Sequence, residues 1–469
     1  MEATYWIGTA LAALGFVLGF AAAMHALLYK RLPQSAFGWI AVCMMLPLGG
    51  ALLYYLFGIN RVERRARELR AGGMRHAAPA PLAAAAPDAL VTLAALGERV
   101  SRLPLLGGNR VTVLHNGEQT FPAMLEAIGN ARERVFLSSY IFDSGRTGRA
   151  FADALGAAAA RGVAVRVLLD GVGELYSFPP ARALLRDAGV RIARFMPPRL
   201  MPPSLHVNLR NHRKILVVDG RTAFTGGINI GDRHLAADES NPRRVVDMHF
   251  RFEGPVAGQI EAVFLDDWGF VTGESLDVPP APPEAHGEAL CRAVADGPDG
   301  DLDKLRALFV GAIGFARRRV TLMTPYFLPP RELIGIMQAA ALRGIEVAVI
   351  LPERNNLPYI HRATRHMLWE ILQRGVRVYY QPPPFVHSKL LLVDDEYAMV
   401  GSANLDQRSL RLNFELNVEV FDAALVAELA RHCDTVRERS REVTLADVDG
   451  RRLVTRVIDG AAWLFSPYL

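Results

Sequence analysis

The pattern HxKxxxxDxxxxxxG occurs twice in this chain. The first copy holds His212, Lys214, Asp219 and Gly226, followed by Gly227 and Asn229; the second holds His387, Lys389, Asp394 and Gly401, followed by Ser402 and Asn404. A hairpin with two polar residues would explain one copy. It does not explain two with the same internal spacing, and a site using both copies must bring distant stretches of chain together. The residue types suit a double displacement at a phosphodiester: one imidazole attacks phosphorus, the other protonates the leaving oxygen, and the ammonium groups face the anion.

Residues i and i+2 share a face of a strand, so each His and Lys should point the same way at the head of the apolar runs Ile215–Val218 and Leu390–Val393, which read as buried strands. Asp219 with Gly220, and Asp394 with Asp395, read as turns closing those strands. The two aspartates belong to the catalytic candidates as motif members, but holding the turn suits them better than chemistry. The glycines ahead of Asn229 and Asn404 would let backbone approach an anion closely.

The repetition extends beyond the motif. Arg161-Gly162-Val163 precedes a β-branched run at 165–169 just as Arg343-Gly344-Ile345 precedes one at 347–351, and Gly189-Val190-Arg191 matches Gly375-Val376-Arg377. Ala/Leu-rich helical runs lead into these strands at 147–160, with Thr147 as the expected N-cap, and at 331–342. This alternation predicts an α/β fold of two sandwich lobes related by a pseudo-twofold axis, with His212 and His387 meeting at their interface.

Residues 5–28 carry no formal charge apart from what His25 could bear, and residues 35–57 carry none; each run is long enough for a hydrocarbon core of about 30 Å. A membrane helical hairpin is predicted, kinked at Pro47. A cleaved signal peptide fits less well, because the first run lacks a basic lead and is too long. Arg61, Arg64, Arg65, Arg67 and Arg70 follow the second run and outnumber Lys30 and Arg31 between the two, which places the following body in the cytoplasm. The expected organisation is an anchor over 1–60, a basic and Ala/Pro-rich linker over 61–107, a first lobe over 108–276, a Pro-rich linker over 277–288, a second lobe over 289–440 and a C-terminal segment over 441–469. Residues 454–469 mix charges with Val, Ile, Trp, Leu, Phe and Tyr; they suit either an amphipathic segment at a bilayer surface or a core helix.

Cys43, Cys291 and Cys433 are few, odd in number and scattered, which predicts free thiols. His206, His234, His249, His361 and His366 form no metal-like spacing. Tyr140, Phe142, Tyr326 and Phe327 follow strands and read as core or pocket wall.

The two motifs, together with the stretches 208–211, 324–327, 401–406 running on through Arg408, Ser409, Asn413 and Glu415, and the closing Leu464-Phe465-Ser466-Pro467, resemble the phospholipase D superfamily and within it the bacterial cardiolipin synthases. The likeness spans nearly the whole chain. Gly227 departs from it, since the family more often has Ser there. The resemblance implies two phospholipase D-like lobes, and transphosphatidylation between two phosphatidylglycerol molecules at a bacterial inner membrane. Phosphatidylethanolamine is the other possible second substrate. It implies no cofactor and no metal, with His212 as nucleophile and His387 as general acid, although the symmetry of the copies leaves that order open. Lys214, Lys389, Asn229 and Asn404 would bind phosphate oxygens, and Asp247 and Glu415 would orient the imidazoles, each acid's partner being open. A membrane-bound hydrolase using water is the nearest alternative. A nuclease fits poorly with apolar spans and a net charge of only +5, and a scaffold fits poorly with two intact motifs.

Overall fold

The computed structural model describes residues 2–30, 33–58, 86, 90–198, 209–282, 284–298 and 301–466. His206 and the arginines at 61–70 lie outside them. The chain divides into an N-terminal helical unit within residues 1–68 and a body within residues 69–469.

In the N-terminal unit a helix over Glu2–Tyr29 packs on a second segment. Gly19 permits the approach, since a Cβ there would sit 2.7 Å from the Cys43 carbonyl. Among the described residues, only Tyr5–Tyr29 is a helix long and apolar enough to cross a membrane. The second run, expected as one kinked span, is broken into Pro33–Met45, Pro47–Leu53 and a π turn at Tyr54–Gly58. Leu46 leaves the helical region at φ −128° and ψ 71°. The cause is local: proline disfavours helical backbone in the residue before it and supplies no amide to the turn behind.

The body is built on one mixed sheet. Its strands are β1 (Leu106–His115), β2 (Arg134–Ser139), β3 (Ala164–Asp170), β4 (Arg191–Phe195), β5 (Ile215–Val218), β6 (Thr222–Gly226), β7 (Met248–Glu253), β8 (Ala289–Asp296), β9 (Arg319–Met323), β10 (Glu346–Pro352), β11 (Arg377–Gln381), β12 (Leu390–Val393), β13 (Tyr397–Gly401), β14 (Asn413–Phe421) and β15 (Arg441–Val443). From one edge the order is β4-β3-β2-β5-β6-β7-β1; from the other it is β15-β11-β10-β9-β12-β13-β14-β8, and β1 pairs antiparallel with β8. Apart from β15, the two runs follow the same order. The parallel pairs β2·β3 and β9·β10 are those whose connections contain the helices Arg146–Ala160 and Arg331–Leu342, as a parallel crossover requires.

Strand alternation places a core on each face. Val135 and Leu137 of β2 enter one with Phe151 and Leu155, whereas Phe136 stacks on Phe264 of the helix Val256–Thr272 with centroids 5.0 Å apart. In the second half, Val320, Leu322, Val347 and Val349 pack with the helices Arg331–Leu342 and Pro358–Leu372.

Three local expectations change. The predicted linker to residue 107 contains a helix over Val91–Ser101, with Leu93, Gly97 and Ser101 buried at four-residue spacing; Leu90 and Leu93 join the second core. Its period is hidden in sequence by the preceding Ala/Pro run. Thr147 is not an N-cap: the helix begins at Arg146, and the Asp232 carboxylate accepts the Arg146 amide (3.1 Å) and the Thr147 amide (2.8 Å) from outside. The sheet continues past residue 440, since β15 pairs antiparallel with β11.

The tail forms a helix over Leu453–Leu464 with its polarity reversed relative to a core helix. Asp459 is buried and paired with Arg365 (2.7 Å) and with Arg451. The Trp463 ring lies 5.2 Å from that of His366. Leu453, Val454, Val457, Ile458, Leu464 and Phe465 are exposed, and at 3.6 residues per turn they form one stripe turned outward.

Candidate active site

The motif heads are positioned by reciprocal stitching between the halves. Arg210 and Asn211 pair in parallel with Asn413 and Phe414, and the His212 amide donates to the Phe414 carbonyl at 2.9 Å. Phe385 and Val386 pair in parallel with Val245 and Val246, and the His387 amide donates to the Val246 carbonyl at 2.8 Å. The residue after each accepting carbonyl is an acid: Glu415 in one case, Asp247 in the other. Each acid therefore meets the imidazole of the opposite motif.

The contacts follow that logic. His212 Nδ1 lies 2.9 Å from Glu415 Oε2, and His387 Nδ1 lies 2.8 Å from Asp247 Oδ2, all four side chains being buried. A carboxylate beside Nδ1 favours the tautomer with the proton there, leaving Nε2 as the bare nitrogen. Lys214 Nζ donates to the His212 carbonyl at 2.7 Å, and Lys389 Nζ donates to the His387 carbonyl. Lys389 Nζ is also 3.1 Å from His387 Nδ1, but that nitrogen's proton belongs with Asp247, so the ammonium acts on the ring as a neighbouring charge.

Burial and shared charge set the protonation. Burial pushes His212 down to about 4, against the pull of Glu415 and with Lys214 and Lys389 adding to it. It pushes His387 well below the ordinary imidazole value, helped by Lys389, Lys214 and His212. Lys214 is lowered to about 7 and Lys389 to about 8, chiefly by burial. Burial pushes Glu415 up, yet His212, Lys214 and the Ser402 hydroxyl outweigh it and hold the carboxyl below its ordinary value. Charges of one motif thus act on the groups of the other: both motif heads share one field.

Supporting residues explain the departure at Gly227. Ser402 Oγ donates to Glu415 Oε2 at 2.6 Å, and Asn413 Nδ2 donates to Glu415 Oε1 at 3.0 Å. At Gly227 a Cβ would sit 2.3 Å from Asp247 Oδ1. Aspartate is one methylene shorter than glutamate, so its carboxylate occupies the space a serine side chain would need. The hydrogen bond lost with serine is replaced by the Met248 amide, which donates to Asp247 Oδ1 at 2.8 Å.

Asn229 Oδ1 accepts the Ile141 amide (3.2 Å), and Asn404 Nδ2 donates to Ser409 Oγ (3.1 Å) while its Oδ1 is buried and has no hydrogen-bond partner among the described residues. Asp219 and Asp394 stand beyond the far ends of β5 and β12. With φ of 53° and 52°, they accept the amides of Arg132, Glu133 and Arg134 and of Arg317, Arg318 and Arg319. They tie neighbouring strands together rather than meet the imidazoles, which corrects their place in the catalytic set.

Two features were not read from sequence, and a third, the place of two tyrosines, was read only in part. Arg213, buried between His212 and Lys214, bonds Asp267 (2.5 Å), the Glu415 carbonyl (3.0 Å) and the Asp296 carbonyl (3.0 Å), fixing the first motif to the second half. Asp170 accepts the Asn211 amide at 2.8 Å and is raised to about 6 by burial. Tyr140 and Tyr326, left between core and pocket wall, set their ring edges against His212 (5.0 Å) and His387 (6.1 Å), whereas Phe142 and Phe327 are core. Their equivalent places after β2 and β9 were a usable signal. His234, His249, His361 and His366 join no group of three ligating side chains among the described residues.

A duplicated α/β sheet with two crossed imidazole–carboxylate contacts defines a phospholipase D-like protein. The family model described as cardiolipin synthase, PLD-like domain, matches residues 124–268 and 309–437. The chain belongs to this family. It is 34% identical over 468 residues to cardiolipin synthase A of Pseudomonas putida (strain GB-1), covering 97% of this chain and 96% of that one. It is 32% identical to cardiolipin synthase of Geobacillus thermodenitrificans (strain NG80-2), covering 94% and 90%. Among solved structures, phosphatidylserine synthase of Haemophilus influenzae Rd KW20 has a similar fold, with a TM-score of 0.63 at 16% identity over 81% of this chain and 100% of that one.

Proposed function

We propose that the chain is a cardiolipin synthase that joins two phosphatidylglycerol molecules, releasing glycerol. The crossed pairing of His212 with Glu415 and His387 with Asp247 is the observation that carries this reading, and the full-length likeness to the Pseudomonas and Geobacillus enzymes supports it. His212 Nε2 attacks phosphorus, the bond to the glycerol oxygen breaks, and His387 supplies the proton that glycerol takes away. The hydroxyl of a second phosphatidylglycerol then gives its proton to His387 and attacks the phosphatidyl-histidine, breaking the P–N bond. Lys214 and Lys389, with Asn229 and Asn404, stabilise the charge at phosphorus.

Burial and the two lysines favour the neutral form of His387, yet the first step needs it protonated. An arriving phosphodiester anion offsets the two lysines, and Asp247 then supports the imidazolium. One phosphodiester replaces another, so no large driving force is required. Purified protein given phosphatidylglycerol alone should release one glycerol per cardiolipin. Phosphatidic acid with free glycerol as the main products would overturn the reading in favour of a hydrolase.

The enzyme in this reading works at the bacterial inner membrane as two lobes related by a pseudo-twofold axis. The helix Tyr5–Tyr29 spans, the broken second segment returns beside it, and the arginine-rich stretch that follows keeps the lobes cytoplasmic. The outward stripe of the tail helix, flanked by exposed Arg452 and Arg456, suits an anionic lipid surface. Changing both Val454 and Val457 to Glu should cut activity severalfold in phosphatidylglycerol bilayers without lowering the melting temperature. Unaltered bilayer activity would remove the tail from membrane docking.

A further inference from the structure

Arginines buried in the body are matched with carboxylates: Arg213 with Asp267 (2.5 Å), Arg292 with Glu419 (2.7 Å) and Arg134 with Glu261 (2.7 Å). Arg233 is different. It is partly buried, and among the described residues it forms no ion pair and no hydrogen bond. Its surroundings are Asp143 and the phenols of Tyr326, Tyr176 and Tyr140, and burial lowers its pKa against their pull. Tyr140 and Tyr326 are the rings set against His212 and His387, and the Arg233 charge acts on His387 itself, so Arg233 lies close enough to the reacting centre to share its field.

The position is built, not incidental. Arg233 lies on the short turn Asp232–His234, pinned on both sides: Asp232 caps the helix Arg146–Ala160, and His234 Nε2 accepts the Asn229 amide at 3.3 Å. The second copy repeats the device. Arg408 follows its motif histidine by the same twenty-one residues and lies on a turn where Asp406 accepts the Ser409 amide (2.6 Å) and Ser409 accepts from Asn404. Arg408 in turn faces Tyr140, Tyr359, Asp406 and Arg210.

Making cardiolipin requires two phosphodiester anions close together, and Lys214 and Lys389 serve the scissile one. Without further cation, their repulsion would oppose entry of the acceptor lipid. A partly buried guanidinium that forms no ion pair among the described residues, as at Arg233, is suited to a phosphodiester, which it can bind in bidentate fashion. We propose that Arg233, with Arg408 on the matching turn, forms a second anion subsite that holds the phosphodiester of the acceptor phosphatidylglycerol. This rests on the synthase reading above. It adds a reason for selecting an anionic lipid alcohol over water or a neutral alcohol.

The test compares two acceptors of the same phosphatidyl-histidine. Full-length enzyme is assayed for cardiolipin from phosphatidylglycerol, and for exchange of labelled glycerol into phosphatidylglycerol, where the acceptor carries no phosphate. Arg233→Gln should lower cardiolipin formation about 10- to 100-fold, the scale of one charge-assisted hydrogen-bonded contact, and lower exchange less than about threefold. Arg233→Lys, which keeps the charge, should recover part of the loss. Equal loss in both assays, or no loss in either, overturns the subsite. If wild-type enzyme yields phosphatidic acid in place of cardiolipin, the synthase reading itself fails and takes the subsite with it.

Discussion

His212→Ala is expected to abolish cardiolipin formation, a loss of at least about 1,000-fold, because in this mechanism the covalent intermediate forms on its imidazole. His387→Ala should be as severe with phosphatidylglycerol, whose glycerol leaves only if protonated. A substrate with p-nitrophenol in place of glycerol separates the two roles, since that group leaves without an acid. His387→Ala should then release one equivalent of p-nitrophenol and stall as phosphatidyl-histidine. His212→Ala should release none. The opposite pattern would exchange the two roles, and full activity in either variant would remove that imidazole from the mechanism. Both variants should remain folded and membrane-bound.

The second large effect is set by the crossing of the acids. Glu415→Gln should disable His212, and Asp247→Asn should disable His387, each by about 1,000-fold, because an amide can hold the imidazole in the wrong tautomer and cannot support a charged ring. The activated substrate again distinguishes them: Asp247→Asn should keep the p-nitrophenol burst and Glu415→Gln should lose it. If the bursts were reversed, each acid would be serving the histidine of its own half, contrary to the contacts at 2.9 and 2.8 Å.

The motif strands were legible because short apolar runs of β-branched residues and Leu ending in Asp-Gly or Asp-Asp admit few other structures, and β5 and β12 occupy the predicted residues. The repeated strand order was likewise foreshadowed by paired Arg-Gly-Val and Arg-Gly-Ile turns. Asp247 and Glu415 were named from the family likeness, but which acid serves which imidazole was not legible: His212 and Glu415 are 203 residues apart, His387 and Asp247 are 140 apart, and their meeting depends on backbone pairing between the halves. Gly227 looked like a lost hydroxyl until Asp247 was seen to fill its space. The place of the interruption in the second apolar run was legible at Pro47, but its extent was not, because hydropathy counts side chains whereas Pro47 acts through a missing amide. Thr147 misled because a carboxylate distant in sequence can take over a helix end. Arg233 could have been found by extending the motif alignment to twenty-one residues after each histidine.

A single measurement bears most directly on two opposed imidazoles sharing one phosphoryl exchange. His387→Ala enzyme is mixed with the p-nitrophenyl substrate, quenched in base, digested and mapped by mass spectrometry. The phosphatidyl group should be found on the peptide carrying His212, at close to one per chain. A burst with no adduct on His212, or an adduct on a residue outside the two motifs, would contradict the double displacement.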